Sequence, residues 1–102
     1  MKLMTKEIEK KFEKYPLKSQ DGKGMDAEVV VKFFNPMGVG TWIITEGEQV
    51  EDDFIMFGYC DLGFAEWGTV SLNELKAINL PMGLKIERDK HIKKGAKVKD
   101  LI

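Results

Sequence analysis

Residues 27–60 read AEVVVKFFNPMGVGTWIITEGEQVEDDFIMFGYC, and the fold turns on whether these apolar runs are helices or strands. Each run is short, dense in β-branched and aromatic residues, and cut off by glycine, proline, asparagine or a cluster of acids. That combination favours extended chain, because branched and aromatic side chains pack well on a pleated surface and turn residues punctuate it. Ala27–Phe34, Thr41–Thr45 and Phe54–Cys60 are therefore predicted strands, joined by the turn NPMGVG and the polar turn EGEQVEDD. A fourth short strand over Glu66–Val70 would complete an antiparallel meander with short connections.

Working outward, Thr5 is placed to cap a helix whose apolar residues Met4, Ile8, Phe12 and Tyr15 recur at helical spacing, and Pro16 ends it. LKSQDGKGMD reads as a loop. After the fourth strand, Ser71 and Glu74 in SLNEL have capping-box spacing, so a short second helix is predicted to about Ile78 and to end before Pro81. Leu84–Glu87 has room for one more short extended piece. The expectation is an α+β domain: an antiparallel sheet of about four strands, with an N-terminal helix and a capped second helix on one face. Its core should hold Ile8, Phe12, Val29, Val31, Phe33, Trp42, Ile44, Ile55, Phe57, Val70, Leu72, Leu75 and Ile78. Alternation sends Val30 and Ile43 to the other face, where with Phe34 they would form a partner surface.

The chain has 102 residues, 43% hydrophobic and 32% charged, which suits one domain over 1–102. The lone Cys60 excludes an internal disulfide and a cysteine-based zinc site. No segment has the apolar length of a signal peptide or a membrane span, so a cytoplasmic location and no membrane partner are expected. The net charge of -1 hides a segregation. Glu46, Glu48, Glu51, Asp52, Asp53, Asp61 and Glu66 follow one another without an intervening base, whereas Lys85, Arg88, Lys90, Lys93, Lys94, Lys97 and Lys99 face only Glu87 and Asp89. Residues 90–102 have few apolar anchors and are expected to form a loosely held basic tail.

The stretches LMTKEI, VVVKFFNPMGVGTW, FGYCDLGFAEWGTVSLNEL and LPMGLKIERDKHI together span nearly the whole chain. In order and spacing they resemble a small bacterial family of uncharacterised proteins, domain of unknown function 2958. The resemblance implies a protein encoded on plasmids, conjugative elements or phages, with an accessory role in transfer, replication or defence evasion. It implies no catalytic residue.

Several groups carry candidate chemistry. Asp61 and Glu66 could act as acid and base or share a divalent ion, but such sites usually gather a third carboxylate, here from Glu46, Asp52 or Asp53. A glycine-relieved hairpin whose acids stay solvated is the plainer reading of this pair. Cys60 would need a base, and His91 is the single histidine, distant in sequence. Gly38, Val39 and Gly40 suit a hairpin better than a phosphate loop, since no Lys-Ser/Thr pair follows. Arg88 could hold a phosphate or carboxylate, or pair with a hairpin acid and pin the C-terminal segment. The basic tail could follow a nucleic-acid backbone, although it lacks interleaved aromatics.

The expected function is a non-enzymatic protein-binding module. Its contact set is Glu46, Glu48, Glu51, Asp52, Asp53, Asp61, Glu66 and Trp67, presented to a basic partner such as a nucleic-acid-handling protein, without a cofactor or metal. The alternatives are a metal-dependent nuclease or hydrolase built on the carboxylates, and a nucleic-acid-binding accessory protein led by the tail.

Overall fold

A computed structural model describes residues Met1–Ile102. Helix α1 (Lys6–Lys14) is followed by strands β1 (Val31–Phe34), β2 (Thr41–Val50), β3 (Asp53–Asp61) and β4 (Ala65–Ser71), helix α2 (Leu72–Ala77) and strand β5 (Glu87–Arg88). The α+β class holds, with five antiparallel strands ordered β4-β3-β2-β1-β5. The added strand is the extended piece after Leu84, docked on Phe33 and Phe34.

The cap residues do what their chemistry dictates. The Thr5 hydroxyl accepts a hydrogen bond from the Ile8 N–H at 3.2 Å, and the Ser71 hydroxyl accepts one from the Glu74 N–H at 3.1 Å. Both helices contribute to one face of the sheet, where Leu3, Phe12, Leu72 and Leu75 close over Phe33, Trp42, Ile44, Met56 and Val70. Ile8, Ile55, Phe57 and Ile78, expected in the core, are only half-buried.

β2 and β3 run further than their apolar residues alone suggest. EGEQV is the second half of β2 and not a turn; the true turn is Glu51-Asp52, with Glu51 in the left-handed region at φ 55°. The pairing slips at Thr45, which lies between the pairs Ile44/Gly58 and Glu46/Phe57. The bulge sends Glu46 to the face away from the helices and leaves Gly47 against Phe12 and Phe54, whose rings pack at 4.8 Å.

That opposite face is not a partner surface. Ile43 is covered by Ala27, Val29 and Val98, flanked by Tyr59, Trp67, Ile92 and Leu101. Regular pairing of β1 starts only at Val31, so simple alternation fails before it: Val29 joins this second core and Val30 the first. Residues 27–29 pair instead with the C-terminal segment, through the Val29 N–H to the Ala96 carbonyl at 2.8 Å and the Val98 N–H to the Ala27 carbonyl at 3.0 Å. The expectation of a loosely held tail is thereby corrected. Buried Ala96 and Val98, with Ile92 and Leu101 packed beside Val98, suffice as anchors because the main chain around them is paired. Lys99 adds an exposed ion pair to Asp26 at 2.7 Å. Val98 is completely buried, so Val98→Ala should lower unfolding stability by about 2 kcal/mol. Urea denaturation measures this, and a shift near zero would mean that the tail does not close this core.

Candidate functional site

The seven acids are divided along the hairpin. Asp53 and Asp61 occupy the two ends of β3, about 27 Å apart at the usual rise of a strand. Glu48, Glu51, Asp52 and Asp53 gather near the β2–β3 turn, while Asp61 and Glu66 flank the β3–β4 turn. A single acidic face is therefore not formed.

Three of these carboxylates accept hydrogen bonds from segments distant in sequence. Glu46 is 2% exposed, and its two oxygens accept from the backbone N–H groups of Lys18 at 2.7 Å and Gln20 at 2.9 Å. Glu48 accepts from the Leu17 N–H at 3.1 Å. Asp53 accepts from the Ser71 hydroxyl and from the N–H groups of Phe54 and Asn73 at 2.7 and 3.0 Å. It thus satisfies a first-turn donor of α2, the Asn73 N–H, while only the Ser71 half of the expected capping box is formed. Glu46 and Asp53 are thus engaged by the fold itself, while Glu48 stays exposed with one bond to the 16–20 loop.

The Ser71 hydroxyl, followed by the Asn73 and Phe54 N–H groups, keeps the Asp53 carboxyl below the usual carboxylate range, with burial opposing. A carboxyl whose folded-state value is depressed stabilises the fold above its unfolded value and loses that contribution as pH falls through the folded one. Asp53→Asn should therefore be less stable than wild type at neutral pH, with the gap closing below about pH 4. Urea midpoints from pH 7 to pH 3 test this; a gap independent of pH would assign the loss to shape alone.

At the other end of β3, Asp61 and Glu66 do not converge. Asp61 pairs with Ala65 and Glu66 with Cys60, so the two acids project from opposite faces of the ladder. They cannot share one ion or one scissile bond. No group of three acid, histidine or cysteine side chains is placed to hold a metal. Asp61 accepts only from the Gly63 N–H of its own turn, at 3.1 Å. Cys60 is buried beside Glu66, and burial first, then the Glu66 charge, pushes its thiol up to about 11, so it stays protonated and is a poor nucleophile. Trp67 has a structural assignment: it stacks on Phe57 at 5.9 Å and meets Tyr59 edge-on at 5.2 Å, over the second core.

The turn itself is exposed. Leu62 is 61% and Phe64 73% accessible, between Asp61 and Glu66. Phe34, Thr41, Asp61 and Ala65 lie in one row across the sheet, so the β1–β2 turn emerges at the same end. That turn exposes Met37 and Val39, about 10 Å away at ordinary strand spacing. Sequence reasoning missed Leu62 and Phe64, whose apolar character looks like core until the turn is located.

Arg88 is half-buried and forms no ion pair with an acid of the hairpin, one of the two roles expected for it. Its backbone N–H donates to the Met1 sulfur, and its side chain lines a cleft of about 510 Å³ with Lys32, Lys90, His91, Glu87 and Asp89 at the β1–β5 corner. The clasp that does exist was not foreseen. Buried Gln20 donates from Nε2 to the Glu28 and Thr45 carbonyls and accepts the Glu28 N–H, each at 2.8 Å. A single glutamine in a polar loop carries no periodic signal that could have revealed it.

The family model described as "Protein of unknown function (DUF2958)" matches residues 3–101. The chain belongs to the DUF2958 family. The match runs from Leu3 in the first core to Leu101 against the second, so the DUF2958 unit includes both layers of packing. No curated protein and no solved structure matches this DUF2958 chain. None of its helices is long and apolar enough to cross a membrane.

Proposed function

We propose that this DUF2958 chain is a non-enzymatic protein-binding module that meets a basic partner with the β3–β4 end of its sheet. The carrying observation is the turn that exposes Leu62 and Phe64 between two carboxylates engaged in no ion pair. Apolar side chains grouped with free charge at a loop tip are the composition of a contact surface: the apolar part supplies affinity, and the acids select a cationic rim. The partner is a cytoplasmic, nucleic-acid-handling protein, and the module serves as an accessory of a plasmid, conjugative element or phage. This narrows the acidic contact set to Asp61 and Glu66. A photo-crosslinking residue at position 64, with position 10 on α1 as control, should trap one partner at position 64 only. Neutralising Asp61 and Glu66 together should weaken that product and its salt dependence. Equal labelling from both positions would sink the reading.

A second reading rests on the cleft at the β1–β5 corner, where Arg88 is free and three other basic side chains are near. It would accept a nucleic-acid phosphate, with Glu87 and Asp89 in the same lining limiting the attraction. Oligonucleotide binding that steepens at low salt and falls with Arg88→Ala would favour it over the hairpin. The carboxylate-based nuclease has no comparable support, since its two central acids diverge.

A further inference from the structure

The two edges of the sheet are unlike. One ends in β5, only two residues long, and the other in β4, whose seven residues pair with β3 without a bulge. An outer strand points the N–H and C=O of alternate residues away from its single neighbour. No main-chain bond of residues 65–70 goes anywhere except to β3. Of the usual devices that blunt such an edge, AEWGTVS has one charge, Glu66, and no lysine, proline or bulge.

A groove of about 590 Å³ runs beside this edge, on the face that carries the helices. Its walls come from β4 and α2 through Val70, Leu75 and Ile78, and its floor includes Trp42, Cys60 and Gly68. Gly68 leaves the floor open, since a Cβ built there would meet nothing within 4 Å. Glu66 and Glu74 complete the lining, neither in an ion pair. A free strand edge beside an apolar trough is the arrangement into which an extended peptide adds, taking affinity from main-chain bonds and selectivity from alternate side chains.

We infer that the partner adds an extended segment along the free edge of β4 as a sixth strand, its helix-side apolar side chains reaching over Gly68 into the trough and its lysines or arginines meeting Glu66 and Glu74. The occupant is a basic segment of the partner and not the β4 of a second copy, because another β4 would bring Glu66 and no cation to this edge. The inference rests on the binding-module reading and specifies how that module grips.

Panning the whole chain against a displayed library of random dodecapeptides provides the probes. Enriched peptides should alternate apolar residues with lysine or arginine and should slow amide exchange within residues 65–70. Gly68→Val fills the trough while suiting the strand, so it should keep the melting temperature and weaken those peptides about tenfold or more. Glu66→Gln with Glu74→Gln should weaken them and flatten the salt dependence. Failure to enrich any peptide, unchanged affinity in Gly68→Val, or exchange protection that rises with protein concentration alone would each overturn strand addition. A partner crosslinked at position 64 that is lost with Phe64→Ser yet indifferent to Gly68→Val would remove the groove and leave the binding-module reading standing.

Discussion

Gly58→Ala is expected to destabilise the fold by about 3 kcal/mol or more, and to lower the melting temperature by more than about 12 °C. Gly58 lies opposite Ile44 in the middle of the β2–β3 ladder, beside the bulge at Thr45. A Cβ there would stand 2.1 Å from the Ile43 carbonyl oxygen and 2.8 Å from the Ile44 Cα. Both are backbone atoms of the paired strand, so no side-chain rotation relieves the overlap; β2 must move, and Ile43 and Ile44 anchor the cores on the two sides of the sheet. The neighbouring ladder supplies the control. Gly68 pairs directly with Gly58 and has open space where its Cβ would be, so Gly68→Ala should be near neutral. Parallel denaturant titrations of the two variants make the comparison, and a Gly58→Ala protein as stable as Gly68→Ala would refute the close approach.

Glu46→Ala should cost about 3 kcal/mol, an unusual loss for an acid in a polar stretch of sequence. Its carboxyl is the acceptor for two backbone donors of the 16–20 loop, and Lys18 holds a left-handed conformation at φ 74° to present one of them. Alanine would leave both donors without a partner, the one on Gln20 within a buried residue. Glu46→Gln should fall between, because one amide oxygen can still accept while the amide nitrogen faces a donor. The loop should also lose Gln20, so amide exchange at Glu28, whose N–H is bound by the Gln20 side chain, should accelerate along with global destabilisation. Stability unchanged in Glu46→Ala would return Glu46 to the solvent-facing acids.

The strand positions near Val31–Phe34, Trp42–Ile44 and Phe54–Cys60 were legible because residue type and local conformation agree there. The helix starts were legible for the same reason, since Thr5 and Ser71 act on donors three residues away. What escaped was set by partners distant in sequence. The distal half of β2 is polar, yet it is a strand because β3 pairs with it and Gly47 admits Phe12. Glu46 resembles its acidic neighbours in composition, and only the returning 16–20 loop distinguishes it. The acidic run read as one band because sequence proximity says nothing of the length of β3, which carries Asp61 away from Asp53. Within FGYCDLGFAEWGTVSLNEL, Leu62 and Phe64 read as core by composition, and only the position of the β3–β4 turn exposes them.

The second core also sets an order of events in folding. β2, β3 and β4 join through tight turns and contact one another locally, so they can form early. The cover over Ile43 joins residues 27–29 to residues 96–98, more than half the chain apart, and must wait for a long loop to close. The last contacts to be made in this way tend to be the first released. The C-terminal segment should therefore open as a unit without melting the meander, with the amides of Val29 and Val98 exchanging before those at the centre of β3. A chain in that opened state would transiently expose Ile43, Tyr59 and Trp67, giving the protein a second, hidden apolar face with a lifetime of its own.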